Sequence, residues 1–326
     1  MIKQTRVKTG KASALDYFYR YGLFVVFAVL VILFSSLNKN FFTVKNMINL
    51  LQQTSSTGIA AVGLVFVMLT GGIDVSIGSV VFMTSVIVAT LTNLGLGMVG
   101  AFAVAIGCGA LVGCVNGYFC AKMKMAPLIV TLAMLYIIRG TAVGIVGIRQ
   151  VDFFNPIGTT LARMRLFDGF LPVIVLVLAA ALIIGQFILT KVSFGRQLYA
   201  IGNNKIAAQK MGIKVDRNIF ISYVLCGAFA GLSGLISGAQ VGGISPTFAS
   251  GTEFIFISST VLGGVSLFGG KGKVFPGAFL GVLIIMCIEN GLVMASANMY
   301  AYTIVRGIVI FFAVMLDSAQ NKGELR

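Results

Sequence analysis

From residue 22 onward the chain is built of long apolar runs parted by short polar interruptions, and apolar and polar residues do not alternate one by one. Runs such as FVVFAVLVILF and VIVLVLAAALIIG have no two-residue period, so they read as helices and exclude the ten-residue alternating strands of a membrane barrel. About 20 predominantly apolar residues carry a helix across a bilayer. On that measure ten spans are expected, at residues 22–37, 54–70, 75–94, 98–120, 127–148, 171–190, 219–240, 253–267, 274–295 and 299–316. The second and eighth are short. The expected fold class is all-α, a polytopic transmembrane helical bundle forming one domain over residues 1–326. The segment after MIKQTRVKTGKASALDYFYR has a basic flank and an apolar core but no small-x-small cleavage site, so it reads as a retained first helix.

Composition supports the membrane assignment. Of the 326 residues 58% are hydrophobic and 10% charged, and the mean hydropathy is +1.01, more than a water-facing surface of this length tolerates. The formal net charge of +15 reflects loops and not nucleic acid, because cytoplasmic segments of membrane proteins collect Lys and Arg. With the N-terminus inside, 17 of the 24 basic residues fall on the cytoplasmic side, and both termini are expected there. Cys108, Cys114, Cys120, Cys226 and Cys287 lie in apolar runs without a CxxC pair, and the chain has no histidine. They read as reduced packing residues, with no metal site.

The longest polar stretch on the cytoplasmic side is KVSFGRQLYAIGNNKIAAQKMGIKVDRN, residues 191–218, with six Lys or Arg. Two amphipathic pieces are expected in it, Arg196 to Ile201 and Lys205 to Met211. Asn203 and Asn204 can cap the second, and Gly212 can end it in the left-handed conformation. Pieces this short need a surface to lean on. A solvated basic loop accounts for the charge but not for Leu198, Ile201, Ala207, Ala208 and Met211; a docking element for a cytoplasmic partner accounts for both.

Glycines recur at four-residue spacing: Gly109, Gly113 and Gly117; Gly234, Gly238 and Gly242; Gly227 and Gly231; Gly140 and Gly144; Gly277 and Gly281. That spacing clears one side of a helix for a neighbouring backbone. The segments TGIAAVGLVFVMLTGGIDVSIGS and FIFISSTVLGGVSLFGG echo one another, each running apolar into a double glycine, Gly71–Gly72 and Gly263–Gly264. Broken helices in corresponding halves expose polar backbone near a transport pathway.

Enzyme motifs are missing. GLGMVG at 95–100 matches a dinucleotide fingerprint in letters only, since it falls in a turn between spans without an acidic residue about 20 positions on. GGKGK lacks the hydroxyl residue of a phosphate-binding loop, and no HExxH or GxSxG is present. Charged groups inside spans cost roughly 2.5–3.5 kcal/mol each at the bilayer centre, so Arg139, Asp74, Glu289 and Arg306 stand out. Glu289 and Arg306 can pair, and Asp74 can cap the helix beginning at Val75. Arg139 has no evident partner and is the foremost candidate for the pathway. Asn116, Gln240 and Tyr136 can hydrogen-bond a polyol or each other.

In FFTVKNMINLLQQTS (41–55), MLTGGIDVSIGS (68–79), FGRQLYAIGNNKIAAQKMGI (194–213) and VLGGVSLFGGKGKVFPGAFLG (261–281) the chain resembles the permease subunits of sugar-type ABC importers, the ribose, xylose and galactoside permeases, over nearly its whole length. The resemblance implies an inner-membrane subunit of an ATP-driven importer that moves a pentose, hexose or related furanose by alternating access. It implies a tandem ATPase carrying ATP and Mg, with no cofactor on this chain. It also implies a periplasmic or extracellular sugar-binding protein and a second permease copy or sister chain. The cytoplasmic coupling element of that family corresponds here to Gly195–Gly212, with Arg196, Gly202, Asn203, Asn204, Ala207, Ala208 and Gly212 as its residues. Arg139, Asp74, Asn116, Gln240 and Glu289 are the pathway candidates. Glu289, in IENGL, departs from the neutral residue usual in ribose-type permeases. The rival reading is an ion-coupled secondary sugar symporter, which needs a carboxylate relay and has Asp74 and Glu289 to build it from.

Overall fold

The computed structural model describes residues 14–147, 150–153, 156–166, 171–298 and, near the C-terminus, 304–305, 307–309, 311–312 and 314–315. The helices are α1 (Ala14–Leu37), α2 (Val44–Leu69), α3 (Ile77–Asn93), α4 (Met98–Gly117), α5 (Pro127–Val146), α6 (Pro156–Arg163), α7 (Val173–Lys191), α8 (Ser193–Asn203), α9 (Lys205–Lys210), α10 (Val215–Val241), α11 (Thr252–Leu262) and α12 (Phe279–Met294). A π-helical turn, Tyr118–Lys122, extends α4, and another, Val274–Ala278, leads into α12. Four two-residue strands complete the described chain: β1 (Val151–Asp152) pairs antiparallel with β4 (Gly243–Ile244), and β2 (Arg165–Leu166) with β3 (Leu171–Pro172).

A helix stands at each of the first nine expected spans; half of the tenth lies outside the described residues. Six helical segments are long and apolar enough to cross a membrane: Val44–Leu69, Met98–Lys122, Pro127–Val146, Val173–Lys191, Val215–Val241 and Val274–Met294. Gly22–Leu37, Ile77–Asn93 and Thr252–Leu262 are apolar but shorter. The protein is a multi-pass helical bundle. The second helix begins ten residues before its expected start, and its polar first turns explain why. Thr43 caps it by accepting from the Asn46 amide at 3.3 Å, and the buried Asn46 side chain donates to Asn290 Oδ1 on α12 at 2.9 Å. A polar stretch satisfied by a neighbouring helix is as compatible with the interior as an apolar one.

α2 and α10 form the centre. From Thr57 to Leu69 every residue of α2 is buried, as expected of a helix that is apolar all round. α10 crosses α4 at the glycine face: a methyl on Gly109 would come within 2.9 Å of Gly231 Cα, and one on Gly113 within 2.8 Å of Val224 Cα. Such spacing allows backbone-to-backbone dispersion contact where lipid offers no hydrophobic drive. Ser85 on α3 donates to the Gly234 carbonyl at 2.7 Å, and Ser233 to the Ser56 carbonyl at 2.7 Å, stitching α3 and α2 to the same helix. Gly277 and Gly281 likewise meet α11 at Gly263. Gly242 is buried and also stops α10 in the left-handed conformation at φ +76. One expectation fails. Gly140 and Gly144 have nothing within 4 Å, because they lie on the open face of α5 with Tyr136 and Ile137.

Candidate functional site

The polar stretch 191–218 folds into α8 and α9, each reaching further or stopping sooner than its amphipathic pattern suggested: Ser193–Asn203 in place of Arg196–Ile201, and Lys205–Lys210 in place of Lys205–Met211. Asn204 takes an extended conformation and accepts from the Ala207 amide at 2.9 Å, capping α9; Asn203 ends α8. Gly212 turns the chain at φ +80. The apolar residues that no solvated loop would need divide into two sets. Leu198, Ile201 and Ala208 are fully buried against the bundle, whereas Ile206 and Met211 are 69% and 70% exposed. Ala207, Lys205, Lys210, Arg196, Asn203 and Asn204 are exposed with them. The element therefore has an anchored face and an outward face.

The anchor is set where the two helix breaks meet. α2 ends at Leu69 and turns through Gly71 at φ +75; α11 ends at Leu262 and turns through Gly264 at φ +84, so the echoed double glycines do equivalent work. The two turns touch: the Gly270 amide donates to the Leu69 carbonyl at 3.0 Å, and a methyl on Gly71 would come within 3.2 Å of the Phe268 oxygen. Gly202 of α8 sits directly against this junction. A methyl there would collide with the Leu69 carbonyl oxygen and come within 2.8 Å of Gly270 Cα. Tyr199 donates to the Gly272 carbonyl at 2.7 Å, and Asn218 at the start of α10 donates to Gln197 Oε1 at 2.8 Å. α8 is thus tied to the C-terminal ends of α2 and α11 and to the N-terminal end of α10 together.

A second polar site lies deeper. Between β4 and α11 the backbone is non-helical, and Ala249 is held at φ +54, a conformation that residues with a Cβ seldom adopt. Arg139 ties this segment to α5: Nη1 donates to the Phe248 carbonyl at 3.3 Å and Nη2 to the Ala249 carbonyl at 3.1 Å, while the guanidinium lies 5.1 Å from the centroid of Phe82. Arg139 is the thirteenth residue of α5, roughly 18 Å along it at 1.5 Å per residue, so the unwound segment reaches well into the bundle. Arg139 was expected to lack a partner; its partners are main-chain carbonyls, which no side-chain pairing rule reveals. Glu253, buried in the first turn of α11, follows this segment directly. Sequence reasoning overlooked Glu253, although a carboxylate opening a short apolar span after GISPTFASG was a signal.

The remaining candidates fall into separate places. Asp74 and Asn116 come together: Asp74 Oδ1 accepts from the Ser76 amide at 2.9 Å and its hydroxyl at 2.6 Å, and Asn116 donates to Ser76 Oγ at 2.9 Å and to Asp74 Oδ2 at 3.4 Å. Both are buried. The helix that Asp74 supports begins at Ile77, two residues beyond the expected start. Gln240 donates to the Gln52 carbonyl, holding the outer part of α10 to α2. Glu289 lies on α12, half-buried beside the Asn46–Asn290 pair; Arg306, its expected partner, lies outside the described residues. Among the described residues no group of three or more Cys, Asp or Glu side chains is placed to hold a metal ion.

A helical bundle with six helical segments of membrane-crossing length, its helices α2 and α11 breaking at paired glycines, has the architecture of a multi-pass membrane protein. The chain belongs to the family described as branched-chain amino acid transport system / permease component, which matches residues 46–314. It is 35% identical to the ribose import permease protein of Escherichia coli over 91% of this chain and 93% of that one. Against the ribose import permease protein of Bacillus subtilis the identity is 38%, over 92% and 93%. Against the L-arabinose transport system permease protein of Escherichia coli it is 36%, over 94% and 92%. No solved structure matches the chain.

Proposed function

We propose that this chain is the membrane-spanning subunit of an ATP-driven importer that carries a monosaccharide across the inner membrane by alternating access. It crosses the membrane ten times with both ends in the cytoplasm. The observation that carries this reading is the division of α8–α9 into a face locked under α2, α10 and α11 and a face left outside with Ile206, Met211 and Lys210. Force can enter a packed bundle only through a stiff, docked element. A groove on a separate ATPase, which holds the ATP and Mg, takes that outward face, with Arg196, Asn203, Asn204, Ala207 and Gly212 at the contact and Gly202 and Ala208 on the anchored side. A soluble sugar-binding protein supplies substrate from outside, and a second permease copy or sister chain completes the passage. Relatives named for ribose and L-arabinose import support a small polyhydroxylated substrate.

For the passage itself we favour the open face of α5 and the unwound segment that Arg139 holds, since irregular backbone at membrane depth is tolerated where it lines a cavity. Asp74, Asn116, Gln240 and Glu289 support that passage from behind by tying helices together. The test is uptake in vesicles containing permease, ATPase and binding protein. Uptake that stops with vanadate and persists with a proton uncoupler supports the reading; the opposite pattern identifies an ion-coupled symporter and refutes it.

A further inference from the structure

A cavity of about 350 Å³ opens between α9, the turn after α4 and the start of α10, apart from the passage just described. Its polar lining is Thr70, Lys124, Lys205, Gln209, Asp216 and Tyr223, and the rest is apolar, including Ala121, Pro127 and Ile219. Tyr223 is fully buried, and the one hydrogen-bonding group within reach of its hydroxyl is the Cys120 thiol, a weak partner that leaves the hydroxyl without a bond of ordinary geometry. A buried hydroxyl without a strong partner is destabilising, so its place beside a cavity points to a ligand that completes it. Lys124, at φ +56, holds a backbone conformation unusual for a residue with a Cβ.

We propose that this cavity binds a sugar monophosphate from the cytoplasm. Two ammonium groups against one carboxylate favour an anion, and lysines bind phosphate as point charges. Gln209, Asp216, Thr70 and Tyr223 provide donors and acceptors for ring hydroxyls. Inorganic phosphate fills too little of the volume to reach all of these groups, and a neutral sugar leaves the one excess positive charge of the lining uncompensated. The volume suits a small ligand of this class, for which sites of about 300–1,000 Å³ are usual. Lys205 and Gln209 belong to α9, Lys124 to the turn after α4 and Asp216 to α10, so the ligand bridges α9 to the bundle. A ligand that prefers this arrangement shifts the population toward it and opposes movement of α9. Here the inference rests on the proposed coupling role of α8–α9. The site then reports the product of the phosphoryl-transfer reaction that consumes the imported sugar, and slows import when that product accumulates.

The experiment measures binding of ribose 5-phosphate and glucose 6-phosphate by titration calorimetry to the full-length permease in neutral-lipid nanodiscs. Ribose, inorganic phosphate and discs containing phosphatidylglycerol serve as comparisons. Saturable binding of a sugar phosphate is expected, with inorganic phosphate at least tenfold weaker and the free sugar silent. Tyr223→Phe should weaken the sugar phosphate about tenfold while leaving the melting temperature unchanged or higher, and Lys124→Gln should weaken it further. Absent binding, equal binding of inorganic phosphate, or affinities unmoved by both substitutions overturns the proposal. Loss of sugar phosphate binding only in phosphatidylglycerol discs assigns the cavity to a lipid headgroup and also overturns it. In the complex with its ATPase, sugar phosphate should lower transport-coupled hydrolysis several-fold. Binding without that effect separates failure of the coupling reading from failure of the site.

Discussion

The Tyr199 hydroxyl donates to the Gly272 carbonyl at 2.7 Å, joining α8 to the turn that follows α11. Burial raises the phenol above the ordinary tyrosine value of about 10. Because the folded value exceeds the unfolded one, the stabilisation from the neutral phenol is fully present below pH about 10 and is lost as pH rises through the folded value. Tyr199→Phe should cost about 0.5–1.5 kcal/mol. Thermal unfolding should show a difference between wild type and variant that is flat from about pH 6 to 9 and shrinks above about pH 10.

Ile206 and Met211 project from the element whose other face is buried. Replacing both with Glu should abolish stimulation of the partner ATPase, because a desolvated apolar anchor becomes a buried charge at the contact. The permease itself should unfold within about 0.5 kcal/mol of wild type, as surface substitutions do. Ala208→Glu, by contrast, places a charge at a fully buried position and should lower both coupling and stability. Pull-down of the ATPase beside thermal unfolding of the permease separates the two effects.

Arg139 holds two adjacent carbonyls with one guanidinium. Lys keeps the charge but lacks the planar fork, so Arg139→Lys should lose most transport and Arg139→Met nearly all of it. The melting temperature of Arg139→Lys should fall only modestly. Transport retained at wild-type rate in Arg139→Met would remove the unwound segment from the passage.

The glycine faces make a paired prediction. Gly109→Ala forces α4 and α10 apart, since the added methyl would come within 2.9 Å of Gly231 Cα; overpacking of this kind costs about 1–3 kcal/mol. Gly140→Ala and Gly144→Ala meet open space within the chain and should leave its melting temperature unchanged or slightly higher, as Ala is the better helix former. A fall in the assembled transporter that is absent from the isolated permease would show that the open face of α5 packs against another subunit.

Much of the element plan was legible before any coordinates, because apolar runs of membrane length admit few structures other than helices. The early start of α2 was not, since the residues that make it possible, Asn46 and Asn290, are 244 positions apart. The spacing of Gly109, Gly113 and Gly117 announced a close helix contact and was right about it, whereas Gly140 and Gly144 carry the same spacing and touch nothing. Periodicity tells which side of a helix a residue occupies, but not what that side faces.

From the amino-acid order alone came the membrane class, the helical repeat, the polar stretch at 191–218 and the two glycine breaks, since each depends on neighbours along the chain. Only the tertiary structure decided that Gly202 rests on the junction of Leu69 and Gly270, that Arg139 serves two carbonyls more than a hundred residues away, and that Tyr223 is buried beside a cavity. Main-chain carbonyls and empty space leave no mark in the letters of a sequence. Their positions follow from how the helices cross, and that is settled by packing among distant residues.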